Sequence, residues 1–166
     1  MNEVEGVRWY TSVSDARGAL RQALLRGQIV ECPCCTQRCK IYKRKLNATM
    51  ARGIIWLVRE SGDTREWVNI QEGPPWLLRT KELPTTAHWG LVEKAPNTDK
   101  TKRTSGIWRP TEKGVQFARG EITVLSHVHL YNNVAYDVGH TQQVSISEAL
   151  GDKFDYEELM QGGLPQ

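Results

Sequence analysis

Four cysteines, and no others in the chain, occupy the segment from residue 32 to residue 39. Disulfides are rare in cytoplasmic proteins, where clustered cysteines more often bind metal. A structural zinc site takes four ligands, usually supplied as two pairs. Cys32 and Cys35 have the spacing of one such pair, and Cys39 follows four residues later as a third candidate ligand. The spacing therefore predicts a zinc site built on these three thiols.

The segment Glu31-Cys32-Pro33-Cys34-Cys35 resembles the knuckle of zinc ribbons, in which a Cys-Pro-x-Cys turn directs two thiolates toward one ion. A second pair is missing, so the fourth ligand is Cys34, a distant histidine or a residue of a second chain. The alternative interpretation is that the reduced cysteines pack as small buried hydrophobic groups. His127 and His129 lie two residues apart on a predicted strand, where a solvent-facing pair is the favoured interpretation.

Other signs of catalysis are missing from the sequence. It contains no Gly-x-Ser-x-Gly, His-Glu-x-x-His, phosphate-binding loop or glycine-rich dinucleotide motif. A cysteine nucleophile needs a neighbouring base, and the sequence identifies no residue for that role. The acids between 152 and 158 are interpreted as solvated helix termini. We therefore expect a protein that is not an enzyme.

Charge is segregated along the chain although the net charge is only +3. Residues 32–59 contain seven basic residues and no acid, and residues 94–120 contain seven basic and two acidic residues. Residues 145–166 are acidic. Two basic zones on a body of mixed charge predict a face that binds a polyanion. The alternative is a pair of solvated basic surfaces. In the first zone the candidate phosphate contacts are Lys40, Lys43, Arg44 and Lys45.

The 166 residues, 39% of them hydrophobic and 25% charged, are typical of a globular protein with one main domain. No apolar run approaches the roughly 18 residues of a membrane span. The first nine residues, MNEVEGVRW, carry acids and no apolar core, unlike a secretory signal. These features predict a cytoplasmic protein that does not contact a membrane.

Residues 47–120 predict the order helix, short strand, helix, helix, strand, basic loop, strand, helix. Asn47 is a candidate N-cap and Gly62 a helix end. Pro75 and Pro84 suit the first turns of two short helices. Thr111 is a candidate N-cap for the last helix of the series.

The flanking segments predict smaller elements. A helix capped by Ser14 is expected to end at Gly27. Asn132-Asn133 favours a tight hairpin, because asparagine tolerates the left-handed conformation that such turns require. Two capping boxes are expected in the last part of the chain, at Ser145 with Glu148 and at Asp155 with Glu158.

The element order, with HWGLVEK at 88–94 and WRPTEKGVQFA at 108–118, resembles the winged helix-turn-helix fold of DNA-binding repressors. The resemblance implies an α+β protein whose winged core spans 47–120. The core would be preceded by a helix and a cysteine-rich basic hairpin (1–46). It would be followed by a β-hairpin and an acidic helical tail (121–166).

The same resemblance implies double-stranded DNA as the partner and, as in many winged-helix proteins, a possible homodimer. A recognition helix would enter the major groove, and a basic hairpin would reach phosphates. The predicted recognition helix, LPTTAHW, carries no Arg, Asn or Gln, so only modest base discrimination is expected. The implied base-contacting residues are Thr85, Thr86 and His88, and the implied phosphate contacts are Arg79, Lys81, Lys100, Lys102 and Arg103.

The whole chain also resembles bacteriophage-encoded proteins of uncharacterised role. The shared features are the cysteine knuckle, the basic stretch YKRKLN at 42–47, HWGLVEK, and the acidic KFDYEELM at 153–160. This resemblance implies a phage or prophage setting but supplies no function. Together with the winged-helix resemblance to repressors, it implies a phage regulator of transcription. The alternative is a phage factor that uses a winged-helix scaffold to bind a host protein. The apolar residues of its tail would either dock on that partner or, as is more common, fold onto their own domain: Ile146, Leu150, Phe154, Leu159 and Met160.

Overall fold

The structure, a computed structural model, describes residues 3–162. It confirms the α+β class, because helices are combined with four small antiparallel sheets in the described part of the chain. Two compact units are present. The first unit contains residues 3–44 and 127–140, and the second contains residues 45–126 and 141–162. This differs from the predicted division at 46 and 120, because the hairpin 127–140 pairs with a strand of the cysteine-rich segment.

The first unit begins with helix α1 (Val13–Leu25). Its N-cap is Ser12, whose side chain accepts from the backbone N–H of Asp15, so the predicted cap at Ser14 is wrong by two residues. Strand β1 (Val30–Glu31) pairs antiparallel with β2 (Arg38–Cys39). The remaining sheet has the order β3–β8–β9, formed by β3 (Tyr42–Lys45), β8 (His127–Tyr131) and β9 (Val134–Tyr136).

The hairpin between β8 and β9 turns at Asn132 and Asn133, as predicted. Their φ angles of 50° and 61° lie in the left-handed region, which asparagine adopts more readily than most residues. One hydrophobic core cluster of the first unit contains Val4, Leu20, Ala23, Leu24, Val30 and Cys39.

The second unit is built around helix α2 (Ala48–Ser61), which is capped by Asn47 as predicted. The next elements are β4 (Val68–Asn69), a 3₁₀ turn (Ile70–Glu72), α3 (Pro75–Thr80) and a 3₁₀ helix (Leu83–Trp89). They are followed by β5 (Val92–Lys94), β6 (Ile107–Pro110) and α4 (Glu112–Ala118). The chain then forms β7 (Val124–Leu125), β10 (Gln143–Val144), α5 (Ile146–Leu150) and α6 (Tyr156–Gln161).

Strand β6 is the central strand of a three-stranded antiparallel sheet with the order β4–β6–β5. The predicted cap at Thr111 is confirmed, since its side chain accepts from the backbone N–H of Gly114. The capping box of Ser145 and Glu148 is confirmed with both reciprocal bonds. Asp155 also caps its helix, by accepting from the backbone N–H of Glu158.

The core of the second unit surrounds α2, which presents Met50, Ile54 and Leu57 to the interior. From the C-terminal segment, Ile146 and Leu150 are 1% exposed, and α5 packs against α2. These two tail residues therefore belong to the core of their own unit. Within residues 3–162, no helix is long and apolar enough to cross a lipid bilayer.

Candidate functional site

The loop between β5 and β6, residues 95–106, carries the exposed cations Lys100, Lys102 and Arg103. Two side chains hold its tip. Asp99 accepts from the backbone N–H of Thr101 at 2.9 Å and from its hydroxyl at 2.6 Å. The Asn97 amide donates to the carbonyl oxygen of Lys102 at 2.7 Å. We call this segment the basic loop, and its internal hydrogen bonds fix its backbone while its cations face solvent.

One acid partly balances the charge of the basic loop. The Asp99 carboxylate lies 3.9 Å from the Lys102 ammonium. The hydrogen bonds from the Thr101 hydroxyl and backbone N–H lower the pKa of Asp99, so this residue is ionised at neutral pH. An exposed ion pair of this length contributes little free energy and is easily exchanged for another partner.

Two more predicted phosphate contacts, Arg79 and Lys81, lie at the end of α3 and are exposed. Lys81 has a φ of 55°, in the left-handed region, and it ends the helix. The sharp turn at this residue leads directly into the 3₁₀ helix. Both side chains are exposed, and their role as phosphate contacts stays a prediction.

The predicted recognition helix differs from the expectation in two respects. It is a 3₁₀ helix, which is narrower than an α-helix and eclipses residues three apart. Thr86 is 0% exposed, and its hydroxyl donates to the Leu83 carbonyl oxygen at 2.6 Å. The prediction that Thr86 contacts a base is therefore wrong, because its polar group is satisfied inside the unit. Thr85 and His88 are half-buried.

The end of this 3₁₀ helix is fixed by contacts from distant segments. The indole Nε1 of buried Trp89 donates to the Leu125 carbonyl oxygen at 2.6 Å. The Lys113 ammonium donates to the Trp89 carbonyl oxygen at 2.8 Å. Gly114 at the start of α4 lies so close to Leu91 that a Cβ atom there would overlap its carbonyl oxygen. These contacts hold the segment before β5 against α4 and β7.

The other predicted phosphate contacts lie on and beside β3, an edge strand of its sheet. Lys43, Arg44 and Lys45 are exposed. Lys40 is half-buried, with its ammonium 4.6 Å from the centre of the Tyr42 ring. Of these four cations, all except Lys40 are therefore exposed.

The cysteine segment forms a tight turn between β1 and β2. The Cys32 backbone N–H donates to the Gln37 carbonyl oxygen at 2.8 Å, and the Thr36 N–H donates to the Cys32 carbonyl oxygen at 2.9 Å. The pKa of Cys32 is lowered by backbone N–H groups of Cys34 and Cys35 that donate to its sulfur. Such donors stabilise a thiolate.

The third predicted ligand, Cys39, has a different environment. It is buried, its thiol donates to the Gln37 carbonyl oxygen at 3.4 Å, and its sulfur accepts from the Tyr131 hydroxyl at 3.2 Å. This hydrogen bond and burial raise the pKa of Tyr131. Cys39 thus fits the alternative of a small buried hydrophobic group with polar partners.

The donor set of a zinc ion is not assembled in the first unit. Among residues 3–162, no three or more His, Cys, Asp or Glu side chains are arranged to hold a metal ion. The turn presents Cys32 for ligation, and Cys34 and Cys35 are exposed, but Cys39 is engaged elsewhere. The three-cysteine ligand set of the sequence therefore does not fit the arrangement of these side chains.

Sequence reasoning missed a cluster of histidine rings. The rings of His127 and His140 have centroids 5.4 Å apart, and those of His129 and His140 are 5.5 Å apart. Burial lowers the pKa of His129, and the charges of His140 and Lys43 lower it further. The alternation of HVHLY places 127, 129 and 131 on one face of β8, but His140 lies beyond the turn and had no local signal.

The chain was compared with protein-family models, with curated proteins and with solved structures. No protein-family model, no curated protein and no solved structure matches this chain.

Proposed function

We propose that the second unit is a winged-helix module that binds duplex DNA chiefly through phosphate contacts. The element order from α2 to α4, with β6 between β4 and β5, supports this assignment. The observation that carries it is the basic loop, in which three exposed cations lie on one hydrogen-bonded segment between two paired strands. In this proposal the basic loop is the wing.

Arg79 and Lys81 add two exposed cations from the turn before the 3₁₀ helix. Side chains of this kind fix the position of a protein on DNA without reading its sequence. The exposed cations of β3, Lys43, Arg44 and Lys45, are proposed to contribute further phosphate contacts.

Base discrimination is proposed to be weak. Thr85 and His88 are half-buried, and neither has the bidentate hydrogen-bonding geometry of Arg, Asn or Gln. Because Thr86 is buried, only these two members of the predicted reading set have any exposed surface. The module is therefore expected to bind many duplexes with similar affinity. The resemblance to winged-helix repressors favours a regulatory role for this binding.

The test is a fluorescence anisotropy titration of a labelled duplex of mixed sequence at low salt. A variant with Lys100, Lys102 and Arg103 changed to Ala is expected to bind about tenfold or more weakly, on every duplex tested. The matched control changes three other exposed cations, Arg17, Arg26 and Lys153, to Ala. It removes the same net charge. The control is expected to lose much less affinity.

A protein-binding module on the same scaffold is the second candidate, and the burial of Thr86 favours it. The apolar tail residues Ile146 and Leu150 are part of the core, so a docking surface made from them is excluded in this conformation. If no duplex binds at low salt, the DNA proposal is abandoned and a protein partner becomes the leading hypothesis.

A further inference from the structure

A cavity of about 330 Å³ lies inside the second unit, between the basic loop and the two helices that precede β5. Its floor is deeply buried, since Leu77 is 4% exposed and Leu83 1% exposed. Trp108 of β6 closes one side. The apolar lining consists of Ile70, Leu77, Leu78, Leu83, Pro84 and Trp108.

The mouth of the cavity is polar and cationic. Gln71, Lys81 and Thr104 line it beside the apolar residues. An adjoining depression shares Gln71 and Thr104 with the cavity and is lined by Lys102 and Arg103 as well. Among the described residues that line either space, none is acidic. An apolar interior therefore opens toward three cations with no opposing carboxylate in its lining.

We propose that this cavity binds a small amphipathic anion, with an alkyl or aryl body and one carboxylate, sulfonate or phosphate group. The apolar body would displace water from the surface of Leu78, Pro84 and Trp108. The anionic group would lie at the mouth, near Lys81 and the cations of the basic loop. The volume is at the lower end of the range of small-molecule sites, which have mainly apolar walls and few polar groups.

Charge complementarity selects an anion over a neutral ligand of equal size. Lys81 is exposed at the end of α3, and Lys102 has only the long, exposed contact with Asp99 noted above. An incoming anion can therefore pair with these cations without breaking a strong ion pair. A neutral ligand would gain only the burial of its apolar surface.

One consequence depends on the proposed DNA-binding function. Lys81, Lys102 and Arg103 are also proposed phosphate contacts, so an anion held at the mouth competes with DNA for them. Occupancy of the cavity then lowers DNA affinity, as expected for an effector. Ligand binding itself does not depend on DNA binding, so the two proposals can fail separately.

The test compares octanoate with 1-octanol, which share an alkyl chain and differ in charge. Each is titrated into the full-length, ¹⁵N-labelled protein at pH 7, and backbone amide shifts are followed by NMR. Octanoate is expected to give saturable shifts at Gln71, Leu78, Thr104 and Gly106, with an affinity about threefold or more above that of octanol.

Two matched variants test the position of the charge. Thr104→Glu places a carboxylate at the mouth and is expected to weaken octanoate binding by about three- to fivefold. Thr98→Glu makes the same charge change on the same exposed loop, at a residue outside both linings, and is expected to bind as the wild type does. Equal dispersion of the amide spectra establishes that both variants are folded.

The proposal is overturned by any of three results: no saturable shift at the cavity, equal affinity for octanol and octanoate, or an equal loss in the two variants. Titration of a duplex into the same wild-type sample tests DNA binding independently of octanoate binding. Duplex binding without octanoate binding would remove only the ligand site. Octanoate binding without duplex binding would remove only the DNA function.

Discussion

The first unit contains a hydrogen bond from the Tyr131 phenol to the buried Cys39 sulfur and a cluster of three histidine rings. The second unit surrounds one long helix with large apolar side chains and fits its backbone segments closely together, as at Gly114 and Leu91. The difference indicates that apolar packing and close backbone fit contribute more to the stability of the second unit than to that of the first. The predictions below test the contribution of these contacts in the two units.

The largest effect is expected for Gly114→Ala in the second unit. The new Cβ would overlap the Leu91 carbonyl oxygen, which is backbone and cannot move without shifting β5 from α4. We expect the free energy of unfolding to fall by about 3 kcal/mol, the upper part of the range for overpacking. Chemical denaturation monitored by circular dichroism measures the change.

The control for that substitution is Gly18→Ala in α1. Gly18 is an exposed helical residue with open space around its missing side chain. Alanine favours a helix over glycine by up to about 1 kcal/mol, so this variant is expected to be as stable as the wild type or more stable. A similar loss in both glycine variants would contradict the account of backbone fit in the second unit.

A smaller effect is expected when a hydroxyl or indole donor is removed from each unit. Trp89→Phe leaves the Leu125 carbonyl oxygen without its 2.6 Å partner in a buried site, and about 2 kcal/mol is expected to be lost. Tyr131→Phe removes a bond to Cys39 sulfur, a weak acceptor, and about 0.5 kcal/mol is expected. Thermal unfolding of both variants measures the difference.

The Tyr131 variant also has a chemical readout that separates it from a general loss of stability. With the phenol removed, alkylation of Cys39 under native conditions is expected to become faster, while that of exposed Cys34 and Cys35 stays the same. Mass spectrometry of labelled peptides measures each rate. Uniform acceleration at every cysteine would instead indicate unfolding of the whole unit.

The smallest effect concerns pH and the first unit alone. The pKa of His129 lies below its ordinary value of 6.5 in the folded protein. The unfolded chain therefore binds a proton more readily than the folded one, and stability is expected to fall as the pH decreases below 6.5. His129→Gln is expected to flatten this part of the pH dependence of the melting temperature. An unchanged slope would show that His129 does not contribute to it.

The separation of contacting residues along the chain explains which parts of the structure the sequence could predict. Asn47, Thr111 and the Asn132-Asn133 turn act through contacts with residues at most three or four positions away, so their roles were visible locally. The pairing of β3 with β8 joins segments more than 80 residues apart, and nothing in either segment specified it. The two compact units therefore differ from the predicted division, although most elements agree with the prediction.

The candidate interface shows the same limit. The exposure of Lys100 and Arg103 follows from a polar, turn-rich loop, which the sequence displays directly. The burial of Thr86 depends on the 3₁₀ geometry and on its bond to the Leu83 carbonyl oxygen, which helical spacing alone does not reveal. The three-cysteine site was likewise predicted from spacing, whereas Tyr131, 92 positions beyond Cys39, decides how that thiol is used.

The most direct test of DNA binding by the basic loop is the salt dependence of duplex affinity. The logarithm of the association constant is measured against the logarithm of salt concentration for the wild type and for the variant with Lys100, Lys102 and Arg103 changed to Ala. Each lost phosphate contact reduces the slope by about 0.9, so losing two or three contacts is predicted to reduce the slope by about 1.8 to 2.7. Parallel lines for the two proteins, or no binding at low salt, would contradict the account.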